Sequence, residues 1–75
     1  MIVFSENLKT ALYEFSHDAA DDMHEAGIDG QDVITIADVA IDRSQGDASL
    51  ELRTHIDVHG IVAVRKEAAK HVMQW

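Results

Sequence analysis

The sequence predicts a small α+β domain in two layers: an N-terminal amphipathic helix, an antiparallel β-hairpin or three-strand meander, and a C-terminal helix. Three observations lead there. Residues 5–26 repeat apolar side chains with the spacing of a helix. Residues 33–42 are rich in Val, Ile and Thr. Residues 50–59 alternate apolar and polar almost without fault.

In the first element, Ser5 is a suitable N-cap, although Leu8 stands where a capping box would place Glu or Gln. Leu8, Leu12, Phe15, Ala19, Met23 and Ala26 form one stripe, and Glu14, His17, Asp21 and His24 fall opposite. Gly27 then suits the position just past a helix end. Met1–Phe4 reads as a short strand ahead of it.

Asp29-Gly30-Gln31-Asp32 is a turn. The next segment, 33–42, fits two templates. Val33, Ile36, Ala37, Ala40 and Ile41 make a helical stripe, whereas Val33, Thr35, Ala37, Val39 and Ile41 share a strand face. Its β-branched content and a strand-like neighbour favour a strand. Arg43–Ala48, with Gly46-Asp47 inside, would close a hairpin onto 49–59. There, Leu50, Leu52, Thr54, Ile56 and Val58 would point inward, and Glu51, Arg53, His55, Asp57 and His59 outward. In the tail, Ile61, Val64, Ala68, Val72 and Trp75 form a helical stripe, with a third strand at 61–64 as the rival reading.

A chain of 75 residues makes one domain, 1–75, that buries only about 60% of its unfolded surface, so added support is expected. It has no cysteine, which excludes disulfides and thiolate metal sites, and dimerisation becomes the expected support. As a strand, 33–42 would be apolar on both sides at its start. That nominates Ile34 and Ile36, with the terminal Trp75, as a homodimer interface. Met1-Ile2-Val3-Phe4 is too short for a signal peptide, and no apolar run reaches the ~20 residues of a membrane helix. The expectation is a cytoplasmic protein with no membrane partner.

Formal net charge is −8, and it is unevenly spread. Between Lys9 and Arg43 there is no Lys or Arg, while nine carboxylates accumulate. Such a field repels nucleic-acid phosphate and attracts basic surfaces. The expected partner is therefore a protein with a basic surface, not nucleic acid itself. The residues expected to meet it are Glu14, Asp18, Asp21, Asp22, Glu25, Asp29 and Asp32. A sharper version is a nucleic-acid-mimicking inhibitor that occupies a DNA- or RNA-binding groove.

The alternative is a small metal-binding or metal-sensing module. His17, Asp21 and His24 stand at i, i+4, i+7 on one helix face, a workable ligand set for a divalent ion. His55, Asp57 and His59 would share a strand face, but at ~7 Å spacing the three cannot reach one ion without bending. An EF-hand fails: with Gly30 at the sixth loop position, Glu25 is first and Ile36 twelfth, where Glu is required.

Enzyme templates are missing too. There is no Gly-rich phosphate loop, nucleophile elbow or HExxH pair, and a chain this size has little room for a pocket of ~300 Å³. A small enzyme subunit completed by a partner's residues is a third, weaker reading. No cofactor is expected. The leading expectation is a non-catalytic, homodimeric, acidic interaction protein.

Overall fold

In the computed structural model, residues 1–28, 30 and 32–72 are described, and among them every regular element is a helix. These are α1 (Glu6–Glu25), α2 (Val33–Arg43), α3 (Gly46–His59) and α4 (Ile61–Ala68). No strand occurs among the described residues, so the α+β expectation is wrong.

The first helix forms as its sequence predicts, except that Ala26, expected on the inner stripe, is the exposed C-cap. Ser5 is extended and its Oγ accepts from the amide of Leu8 at 3.1 Å. Leu8, Leu12 and Ala19 are fully buried on its inner stripe, and Phe15 and Met23 partly so. At the other end Gly27 takes φ +79°, and two bonds close the terminus: Gly27 N–H to the His24 carbonyl and Ile28 N–H to the Met23 carbonyl. This is the Schellman pattern, which favours a residue without Cβ at that φ.

Residues 33–42, expected as a strand, are the body of α2. Of their two templates the helical one prevails: Ile36, Ala37 and Ala40 are buried, Val33 and Ile41 half-buried. Asp32 nucleates it, its Oδ1 accepting from Thr35 N–H at 2.8 Å. Burial of one stripe and a good N-cap together outweigh a β preference that spans only ~1 kcal/mol per residue. The dimer argument built on a strand therefore lapses for Ile36, which is 2% exposed in the monomer core. Ile34 is 40% exposed, and Trp75 lies outside the described residues.

Residues 50–59, whose alternation argued most strongly for a strand, lie in α3. Together with Ala48 just ahead of them, these residues hold a helical series, Ala48, Leu52 and Ile56, at i, i+4, i+8. Leu52 is 1% exposed and the other two are half-buried. Leu50 and Val58, which a strand would have buried beside Leu52, are left 65% and 70% exposed. The expected hairpin at 43–48 is instead a two-residue turn, Ser44-Gln45, between α2 and α3.

The tail is helical over Ile61–Ala68, with Val64 and Ala68 buried and no third strand; Val72 is buried beyond the helix end, Ile61 is 41% exposed, and Trp75 lies outside the described residues. Gly60 separates α3 from α4 at φ +85°, a conformation that L side chains rarely adopt. The segment Met1–Phe4 pairs with no strand. Its Phe4 is buried at 3% exposure, with ring centroids 5.1 Å from His55 and 5.9 Å from His71.

Helix α1 packs on α2 and α3, and α4 packs on α2 and α3. The core draws on all four helices and the N-terminal segment: Phe4, Leu8, Leu12, Ile36, Leu52, Val64 and Val72, interleaved with alanines. No helix among the described residues is long and apolar enough to cross a membrane.

Candidate functional site: the acidic face of helix α1

Four of the seven carboxylates expected to meet a partner fall into line. Glu14, Asp18, Asp21 and Glu25 stand at i, i+4, i+7 and i+11, which keeps them within about 60° of arc on a helix of 3.6 residues per turn. All four are exposed, on the side of α1 opposite Leu8, Leu12 and Ala19. The line runs about 17 Å at 1.5 Å per residue.

Two of the other three serve the fold. Asp22 turns to α2, where its Oδ2 accepts from Arg43 Nη1 at 2.6 Å. Asp32 is committed to the α2 cap, whose hydrogen bonds from Thr35 hold its carboxyl below the usual carboxylate range. Asp29 lies outside the described residues.

The line carries little compensating charge. His17 Nδ1 lies 3.4 Å from Asp21, a charged contact only when the ring is protonated. Among the described residues Glu14, Asp18 and Glu25 make no ion pair. Arg43, the cation that reaches α1 from α2, is engaged on Asp22.

This placement costs α1 stability in two ways. Like charges at i, i+3 and i, i+4 repel, by about 0.2–0.5 kcal/mol per pair. Asp21, Asp22 and Glu25 also crowd the last turns of the helix, where the macrodipole favours cations.

The metal alternative finds no centre. His17 and Asp21 approach one another, but no group of three His, Asp or Glu converges on one point among the described residues. His55, Asp57 and His59 are separated by the helix. The two imidazoles, four residues apart, stack at 6.2 Å, and His55 Nε2 lies 3.4 Å from Glu51 rather than beside Asp57.

Surface hollows are larger than so short a chain led one to expect. One of about 480 Å³ lies among Phe15, Asp18, Asp22, Arg43 and Gln45, and one of about 350 Å³ between the end of α2 and α3. Both open widely to solvent. The second contains Ser44 and Ser49 but no histidine, and the Ser44 hydroxyl donates to the Ile41 carbonyl at 2.7 Å. Asp57 also lines the second hollow, but among the described residues no hydrogen bond joins it to either serine.

A second polar cluster was hidden by the strand reading. Glu51 accepts from both the amide (2.9 Å) and the hydroxyl of Ser5, and approaches His55. Glu67 approaches His71 at 3.2 Å and accepts from Lys70 at 3.3 Å. Burial alone would raise both carboxyls. The bonds from Ser5 and His55 outweigh it at Glu51, those from Lys70 and His71 at Glu67, and both are held below the usual range. The i, i+4 spacing of Glu51–His55 and Glu67–His71 was the signal available in sequence. These residues fasten the N-terminal segment around Phe4 and face no cavity described above.

No protein-family model matches this chain, and neither a curated protein nor a solved structure shows significant similarity to it.

Proposed function

We propose that this is a non-catalytic interaction protein, homodimeric and cytoplasmic, that presents the carboxylate line of α1 to a basic surface on a protein partner. One observation carries this reading: Glu14, Asp18, Asp21 and Glu25 are aligned, exposed and uncompensated by Lys or Arg, at positions where they weaken their own helix. Departures from local stability rules of this kind concentrate at functional sites. Four charges over about 17 Å also resemble a short run of backbone phosphates, so a groove that binds DNA or RNA is the partner surface of best fit.

The test is affinity capture from the native cell with the wild-type protein and with a variant carrying Glu14→Gln, Asp18→Asn, Asp21→Asn and Glu25→Gln. The wild type should retain a basic partner whose recovery falls steeply between 50 and about 500 mM salt, because exposed charges are screened over ~4 Å at the higher value. The variant should not retain it. The purified partner's nucleic acid should compete for it. Equal recovery by the two proteins, or recovery indifferent to salt, would overturn the reading.

A further inference from the structure

The outer face of α3 exposes two large apolar side chains. Leu50, Thr54 and Val58 follow one another at i, i+4, i+8, away from the core side held by Leu52 and Ile56. Leu50 and Val58 are 65% and 70% exposed. The Thr54 hydroxyl is bound to its own helix, donating to the Leu50 carbonyl at 3.0 Å, so it asks for no polar partner on that face. Past Gly60, Ile61 and Val62 at the start of α4 are also exposed.

One flank of this stripe carries Arg53 and Asp57, both exposed and one turn apart. They are of opposite sign at i, i+4, yet among the described residues neither makes an ion pair. With the cation N-terminal, that order is the less favourable one within a helix.

We propose that this face binds a second copy of the chain, with the two α3 helices antiparallel about a two-fold axis through Thr54. The occupant is specified by the symmetry of the charges and the apolar side chains. Leu50 and Val58 lie four residues either side of Thr54, so the axis sets Leu50 against the partner's Val58 and Val58 against the partner's Leu50. The axis also keeps like flanks together while reversing direction. Arg53 then comes within about 3 Å along the helix direction of the partner's Asp57, at a rise of 1.5 Å per residue, and the reciprocal pair forms on the other side of the axis; the two Arg53 side chains meet at the centre at the same separation, flanked by the two Asp57 carboxylates, so attractive pairs outnumber the repulsive one. An interface of this kind is isologous: one surface completes itself, in apolar contact and in charge. It rests on the homodimer in the functional reading above but not on the acidic line of α1, which lies on another helix.

Sedimentation equilibrium from micromolar to millimolar protein tests this against a protomer mass of 8.3 kDa. The wild type should approach twice that mass. Leu50→Asp, at an exposed site, should keep the helical circular dichroism of the wild type and raise the dissociation constant by about 100-fold or more. Arg53→Asp and Asp57→Arg should each weaken self-association by about tenfold or more, and a mixture of the two proteins should form the mixed dimer preferentially. The α1 variant with four neutralised carboxylates should still dimerise, so failure of the partner reading and failure of this one are distinguishable. A wild-type monomer at all concentrations overturns the proposal. A dimer unaffected by Leu50→Asp, or single charge variants that fail to recombine, overturns this surface.

Discussion

Glu51 on α3 completes the N-terminal cap of α1. One carboxylate oxygen accepts from the Ser5 amide at 2.9 Å and the other from the Ser5 hydroxyl, while that hydroxyl accepts from Leu8 N–H. In a capping box the returning carboxylate comes from the third residue of the same helix. Here that position is Leu8, and a glutamate 46 residues away in sequence performs the part. Ser5→Ala and Glu51→Gln should each cost about 1–2 kcal/mol. Because they share one set of bonds, the double variant should lose less than the sum, by at least about 0.5 kcal/mol. Urea midpoints of the four proteins measure this, and simple additivity would refute the shared cap.

The same contact sets an acid limit. The Glu51 and Glu67 carboxyls are more acidic folded than unfolded. Their contribution to stability is therefore complete above the unfolded value of about 4.3, fades as pH falls below it, and is gone beneath the lower folded value. Between pH 7 and pH 3 the wild type should lose more stability than Glu51→Gln or Glu67→Gln. Parallel pH profiles for the three proteins would count against the sign argued here.

Leu50 and Leu52 separate the helix from the strand. On a strand both would be buried on one face, and a charge at either would unfold the chain. In α3, Leu52 is buried and Leu50 is not. Leu52→Ala should cost about 2–5 kcal/mol, and Leu50→Ala within about 0.5 kcal/mol of nothing in the isolated protomer. Thermal denaturation at low concentration checks it, and equal losses would favour the strand.

Gly27→Ala should lower stability by about 1 kcal/mol, since φ +79° is unfavourable for a residue with Cβ. No neighbouring atom obstructs the added methyl, so the penalty comes from the backbone alone. Gly27→Asn should be milder, because Asn tolerates that region better. A ranking of Ala above Asn in melting temperature would contradict this.

Neutralising the α1 line should stabilise the protein while weakening partner binding. Asp21→Asn and Glu25→Gln each relieve like-charge contacts and an unfavourable end of the helix dipole, for a gain of a few tenths to about 0.5 kcal/mol at low salt. The gain should shrink in 1 M salt, where the Debye length is about 3 Å. Unchanged or lower stability at low salt would mean that the line carries no strain.

Sequence and structure agree where one periodicity rules out the other. The stripe from Leu8 to Met23, the Ser5 cap and the Gly27 terminus were all legible, because a 20-residue helix with both caps has no strand equivalent. Residues 33–42 and 50–59 support both periods, and the choice fell to side-chain preference, which tertiary burial overrides. Asp32, three residues before Thr35, was the overlooked capping signal. The alternation of 50–59 misled because Leu50 and Val58 are not core residues at all. As for the site, linear charge located the acidic helix, but only helical geometry separates the four aligned carboxylates from Asp22 and Asp32, which serve the fold.

The core contains six fully or nearly buried alanines: Ala19 and Ala20 on α1, Ala37 and Ala40 on α2, and Ala68 and Ala69 at the end of α4. Only one methyl can be removed from such a side chain, at about 1 kcal/mol for Gly within a helix, whereas growth meets close packing. Divergence of this chain is thereby constrained most against larger side chains at these positions. Exposed positions outside the α1 carboxylate line and the α3 face are free to vary, while positions 19, 20, 37 and 40 stay small. A distant relative is better sought by that spacing of small residues than by overall likeness.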